Sequence, residues 1–237
     1  IMKHKVVTVK NVNKSMNLLR NLQSRSSIIP GLGLIHGPSG FGKTTTVVWM
    51  FNQTRSVYVR CYATDTPSSF LGRVLQEMGE VPRPPLSNMV GQVIERMVMD
   101  HCSLFIDEAD HIVNNTRIME TIRDIYDSAE EPIVLIGMEQ IARRISHRKQ
   151  MFNRISEWVE FQPADLDNME MLVKELFEIN LDIKEDMLSY ICNESGGEMR
   201  QILVALEKIE RFAMANKLDA VDRRSWGKEP LFLLQRR

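Results

Sequence analysis

Apolar and polar residues follow two periods over the first two thirds of the chain and only the helical one after that. Residues 11–25 carry Met16, Leu18, Leu19 and Leu22 at near-helical spacing, and Pro30 and Gly31 break the pattern before a short strand at 33–36. A helix is predicted after the next glycines, over 43–54. Residues 56–62 set Val57, Val59 and Cys61 against polar neighbours, as a strand with one buried face does. Helices over 67–79 and 86–100 follow, separated by the proline-rich link 81–85. Residues 104–106 and 133–136 are short continuous apolar runs, the pattern of strands buried on both faces of a parallel sheet. A last strand is predicted over 158–161. Past Pro163, the segments 168–178, 184–193 and 199–215 read as three helices. The tail from Asp219 has no clear periodicity, and Trp226, Leu231, Phe232, Leu233 and Leu234 are expected to cover the helices before it. The pattern thus predicts an α/β domain over 1–162, a small helical domain over 163–217 and a tail over 218–237.

Composition narrows the setting. Lys and Arg total 30 against 31 for Asp and Glu, a net charge of -1, so there is no global electrostatic drive toward nucleic acid. Local patches would have to supply it. Arg143, Arg144, His147, Arg148, Lys149 and Arg154 form one such cluster, open to two readings: a solvated basic face or a DNA surface. The three cysteines, Cys61, Cys102 and Cys192, are widely separated and without a CxxC pair, against both a disulfide framework and a zinc site. A reducing, cytoplasmic setting is expected. Apolar runs such as 47–51 fall far short of the roughly 20 residues of a membrane span, so no membrane partner is expected.

The segment Gly37-Pro38-Ser39-Gly40-Phe41-Gly42-Lys43-Thr44 matches GxxxxGK[ST] between a predicted strand and a predicted helix. Glycines let successive N–H groups curl inward at phosphates, and the following helix adds the positive end of its dipole. The segment is therefore a candidate ATP cradle, with Thr45 at its edge. Lys43 would reach the β- and γ-phosphates and Thr44 would offer its hydroxyl to Mg2+. The complement is Leu104-Phe-Ile-Asp107-Glu108-Ala-Asp110, an apolar strand ending in adjacent carboxylates. Asp107 is placed to hold the magnesium ion, usually through water, and Glu108 to orient or deprotonate the attacking water. Asp110 and His111 either belong to this site or are a helix-capping aspartate and a surface histidine.

With GPSGFGKT and LFIDEAD followed by IVLIGMEQ, MFNRI and GGEMRQI, residues 28–215 resemble the AAA+ ATPases. Within them the chain is most similar to the transposition regulators, the phage Mu B protein and the TniB and TnsC groups. The resemblance implies a P-loop NTPase fold, a five-stranded parallel sheet in the order 5-1-4-3-2 flanked by helices, with a small helical lid. It implies an ATP-dependent oligomer or filament on DNA that selects target sites and stimulates a transposase. Arg154 matches the arginine finger that reaches a neighbour's γ-phosphate, and Arg200 the lid arginine called sensor 2; the alternative for each is an ordinary surface charge. DNA is expected to be held through its backbone at the starts of the two helices after the second strand, by Ser68, Arg83 and Ser87; otherwise the two serines are helix caps and Arg83 a solvated loop residue. Two features depart from the family. Sensor 1 bears Asn or Thr there, whereas Met138 stands here, and a thioether cannot donate a hydrogen bond. Either Glu139 or Gln140 substitutes, or hydrolysis is slow. An upstream DNA-binding extension, frequent in such chains, is expected to be missing. A helicase loader or initiator-like ATPase, and a scaffold ATPase that never touches DNA, are the competing functions.

Overall fold

The structure, a computed structural model, describes residues 2, 3 and 5–232; Leu233 and Leu234 of the expected tail cover lie outside the described residues. Contacts divide the chain into two units, the first made of residues 14–39 and 43–161. The second takes the N-terminal residues up to Asn13, the loop tip Gly40–Gly42 and the chain from Gln162 onward.

The helix α1 (Lys10–Ser24) leads into β1 (Leu32–His36), α2 (Lys43–Gln53) and β2 (Ser56–Arg60). Then come α3 (Pro67–Glu77), α4 (Leu86–Asp100), β3 (Ser103–Asp107), α5 (Thr116–Ala129) and β4 (Ile133–Gly137). Two short helices, α6 (Ile141–Ser146) and α7 (Lys149–Phe152), precede β5 (Ile155–Glu160). All five strands are parallel, in the order β2-β3-β4-β1-β5. This is the expected 5-1-4-3-2 order counted from the other edge. Every residue of β1, β3 and β4 is buried, which explains their unbroken apolar runs. Gly33 sits under α1, where an added Cβ would meet Leu22 Cδ1 at 2.8 Å; the missing side chain lets the helix lie close to the strand.

Three differences from the sequence reading have local causes. β2 stops at Arg60, because the chain turns where the Tyr62 N–H donates to Asp65 Oδ2 at 2.8 Å. β5 begins at Ile155, three residues early, because as an edge strand it mixes exposed and half-buried positions and lacks an apolar run. The helix α5 was not expected at all; Asn115 caps it, and Ile118, Met119, Ile122, Ile125 and Tyr126 form its buried stripe.

In the second unit, α8 (Leu166–Leu176), α9 (Glu185–Ser195), α10 (Met199–Asn216) and α11 (Arg223–Trp226) are joined by a two-stranded parallel ladder of β6 (Asp182–Ile183) and β7 (Ala220–Val221). Two-residue strands are too short to show a period. The N-terminal residues pin this unit: Lys10 Nζ donates to Asp167 at 2.7 Å and pairs with Asp165, while Asn11 Nδ2 donates to the Gln162 carbonyl at 2.8 Å. Trp226 packs edge-on against Phe212, and both Trp226 and Leu231 are buried. No helix among the described residues is long and apolar enough to cross a membrane.

Candidate active site

The C-terminal ends of β1 and β3 deliver the two halves of the site. β1 runs into Gly37, whose φ of +148° suits glycine; an added Cβ there would stand 2.9 Å from Phe161 Cβ. At the end of the loop, Lys43 opens α2, and its ammonium donates to the carbonyls of Gly37 and Pro38, at 2.7 Å each. The lysine thus folds back over the loop that it closes. Burial pulls its pKa below the ordinary value, while Asp107, Glu108 and Asp110 act in the opposite sense. Thr44 and Thr45 are exposed on the first turn of α2.

Asp107 ends β3 almost fully buried, at 3% exposure, which a carboxylate tolerates only when hydrogen-bonded. Its Oδ2 accepts from Thr44 Oγ1 at 2.8 Å and from Tyr58 Oη at 2.9 Å, and its Oδ1 from the Glu108 N–H at 2.8 Å. Burial, and then the negative Asp107, push the Tyr58 hydroxyl far above its usual pKa, so it stays a donor. Tyr58 had escaped the sequence reading. Its signal was positional: it alternates with Val57 and Val59, on the strand next to the acids.

Glu108 adopts a left-handed conformation, φ 55°, and its carboxylate stands 3.4 Å from Arg60 Nη2. A 3-10 turn (Ala109–His111) follows. Asp110 is not the capping aspartate of the simpler sequence reading: Oδ2 accepts the Met138 N–H at 2.5 Å, and Oδ1 lies 3.7 Å from Arg144 Nη1. It ties the end of β4 to the segment after β3. His111 is exposed on the surface. Met138 is 40% exposed, so its side chain is no part of a core and its place is open to a polar group.

Thr44 and Asp107 offer hydroxyl and carboxylate oxygens, the hard donors that suit magnesium. Among the described residues no group of three His, Cys, Asp or Glu side chains forms a self-contained metal site. An ion here would take its remaining ligands from phosphate and water.

The other candidates are scattered. Arg154, just before β5, donates Nε and Nη2 to the two oxygens of Asp127, each at 2.6 Å, and Nη1 to the Gln150 carbonyl at 2.6 Å. The hydrogen bond to Asp127 raises its pKa further. Arg148 donates Nε to the Val113 carbonyl at 2.7 Å, so two members of the basic cluster are fixed internally and not free on a surface. Arg200 lies at the start of α10, exposed, with its backbone N–H donating to the Gly40 carbonyl at 3.0 Å. Ser68 and Ser87 are exposed, and neither caps its helix. Thr66 and Ser69 form the capping box of α3, with Pro67 in its first turn, and Pro85 precedes α4. Arg83 is exposed, its N–H donating to Gln92 Oε1 at 2.9 Å.

Residues 30–145, the segment holding both carboxylates and the loop, match one family. The match is to the AAA domain. Among curated proteins, none matches the chain. Among solved structures, the Orc1 protein of Aeropyrum pernix in complex with DNA is 14% identical, with a TM-score of 0.64 over 94% of this chain and 64% of its own. Cdc6p of Pyrobaculum aerophilum is 16% identical, with a TM-score of 0.66 over 92% of this chain and 66% of its own. The RuvB Holliday junction branch migration motor of Thermotoga maritima is 16% identical, with a TM-score of 0.59 over 92% and 67%. The chain therefore spans just under two thirds of the first two. These likenesses establish the P-loop NTPase fold of the AAA kind. The match to the AAA domain supports ATPase activity.

Proposed function

We propose that this chain is an ATP-dependent, DNA-binding ATPase that assembles on DNA and regulates transposition, selecting targets and activating a transposase. The observation that carries the ATPase half is the contact of Thr44 Oγ1 with Asp107 Oδ2, 2.8 Å apart at the joined ends of α2 and β3. It supports reading Thr44 and Asp107 as the magnesium-binding pair of a phosphate site whose loop Lys43 closes. Gly37 to Thr45 would cradle the phosphates through backbone N–H groups, and Lys43 would engage the β- and γ-phosphates. Bound magnesium would neutralise charge on the phosphates. Glu108 would orient and deprotonate the attacking water, Arg200 would act as the lid arginine, and Arg154 would reach the nucleotide of a neighbouring subunit.

The DNA half is supported by the Orc1 likeness, a protein solved on DNA, and by RuvB, a Holliday junction motor. Ser68 and Ser87 lie in the first turns of α3 and α4, where helix N–H groups lack intrahelical acceptors, and Arg83 adds an exposed charge. Such contacts grip the phosphate backbone without reading bases. A monomer of net charge -1 would bind DNA weakly, whereas an oligomer repeats each contact and sums them. The transposition assignment rests on small size, on the DEAD-like run Asp107 to Asp110, on the Leu-Ile-Gly segment 135–137 that follows a buried strand, and on the short lid. In the same reading residues 1–162 form the nucleotide-binding domain, 163–217 the lid and 218–237 a tail.

Filter binding of duplex DNA with a nonhydrolysable ATP analogue tests the proposal. Retention only with the analogue, for any sequence, is expected. Arg83→Ala should weaken it uniformly, with ATP binding unaltered. Saturated nucleotide binding without DNA retention at low salt would leave the scaffold reading. The likeness to Orc1 and Cdc6p favours an initiator-like or helicase-loading ATPase as the second reading. Stimulation of a transposase's strand transfer, against loading of a helicase, separates the two.

A further inference from the structure

Arg154 is more completely held than a surface arginine needs to be. Three of the five N–H donors of a guanidinium are engaged within the chain: Nε and Nη2 by the Asp127 carboxylate, and Nη1 by the Gln150 carbonyl. Arg123 lies beside both of these residues. Arg123, one turn before Asp127 on α5, stands 4.0 Å from Asp127 Oδ2 and donates Nη1 to the Gln150 side chain. The guanidinium nevertheless stays at the surface, its side chain 29% exposed, with one donor left on each Nη. An exposed ion pair of ordinary kind contributes little to stability, and many are mobile. A two-point fork plus a third bond instead fixes the plane of the group.

We infer that Asp127 is a positioning residue for Arg154, holding the guanidinium so that its two remaining donors present a fixed cation to the nucleotide phosphate of a second copy of this chain. The inference rests on the finger reading of Arg154 given above. It adds that the finger is braced from α5, through Asp127, before any neighbour arrives. Orientation then costs no reorganisation when charge develops on the phosphate.

The test uses full-length protein in mixed assemblies. Subunits with Lys43→Ala keep the finger and lose the nucleotide site; subunits with Arg154→Ala keep the site and lose the finger. Mixed, they should recover part of the ATPase activity. Asp127→Ala added to the Lys43→Ala subunits should lower that recovered kcat about ten-fold, with KM for ATP changed less than about two-fold. The same change added to the Arg154→Ala subunits should have no effect, since those subunits have no finger to orient. Asp127→Glu, on the finger-donating side, should restore part of the rate. Light scattering confirms equal assembly, and thermal melting confirms folding. Equal loss on both sides, or no loss on either, overturns the inference while leaving the finger intact. An undiminished rate in assembled Arg154→Ala alone overturns the finger, and the inference with it.

Discussion

Arg60 Nη2 lies 3.4 Å from Glu108 Oε1, an ion pair across the C-terminal ends of the adjacent strands β2 and β3. The carboxylate assigned to activate water is therefore partly occupied by a cation of its own chain. Arg60 is 57% exposed, so the pair holds Glu108 only weakly, by about 0.2–1 kcal/mol. Arg60→Ala should free the carboxylate and raise phosphate release in the absence of DNA by roughly 1.5- to 5-fold. A lower rate would show that Arg60 assists the water and does not restrain its base.

Lys43→Ala should lower ATP affinity about 10- to 100-fold, the loss of one charge-assisted contact from a backbone cradle that otherwise remains. Fluorescent-nucleotide titration reads it directly. Glu108→Gln should leave that affinity unchanged and stop turnover, because the amide keeps the shape and cannot take a proton. Continued phosphate release at the parental rate would remove Glu108 from its role.

Tyr58→Phe deletes one of the three donors to the buried carboxylate of Asp107. A urea titration should show a loss of about 1.5–2 kcal/mol, in the lower part of the range for a hydrogen bond to a charged group. Since Thr44 and the Glu108 N–H still hold both oxygens, nucleotide affinity without magnesium should be unchanged. An unaltered midpoint would mean that water replaces the phenol at no cost.

Met138→Asn places an amide at the end of β4 on a backbone already fixed by Asp110. Hydrolysis should rise about ten-fold if a missing hydrogen bond restrains it. A flat or falling rate, in folded protein, would point to Glu139 or Gln140 as the working group.

The sheet was legible because its inner strands are buried on both faces and therefore unbroken in the sequence, as in Leu104-Phe-Ile. β5, on the edge, was located three residues late because its Ser156, Glu157 and Trp158 face partly into solvent. The loop 37–44 and Asp107, which the structure joins through Thr44, stood out for another reason: a short motif fixes residue type at its defined positions. Asp110 and Tyr58 were not, since each acts through a partner distant in sequence, Met138 and Asp107, and no local spacing encodes such pairs. Asp127 was invisible for the same reason, lying in a helix, α5, that the sequence reading passed over.

The packing of Gly37 against Phe161 joins two ends of the chain's traffic. Phe161 is the last residue of the sheet unit, and its N–H donates to the His36 carbonyl at 2.8 Å, immediately before the glycine that opens the phosphate loop. The polypeptide therefore leaves the sheet unit from the very point at which that loop is anchored. A single methyl group at position 37 would press on both, displacing the loop's first peptide and the covalent exit at once. Gly37, which opens the loop, and Phe161, after which the chain leaves the sheet unit for the last time, thus share one packing contact.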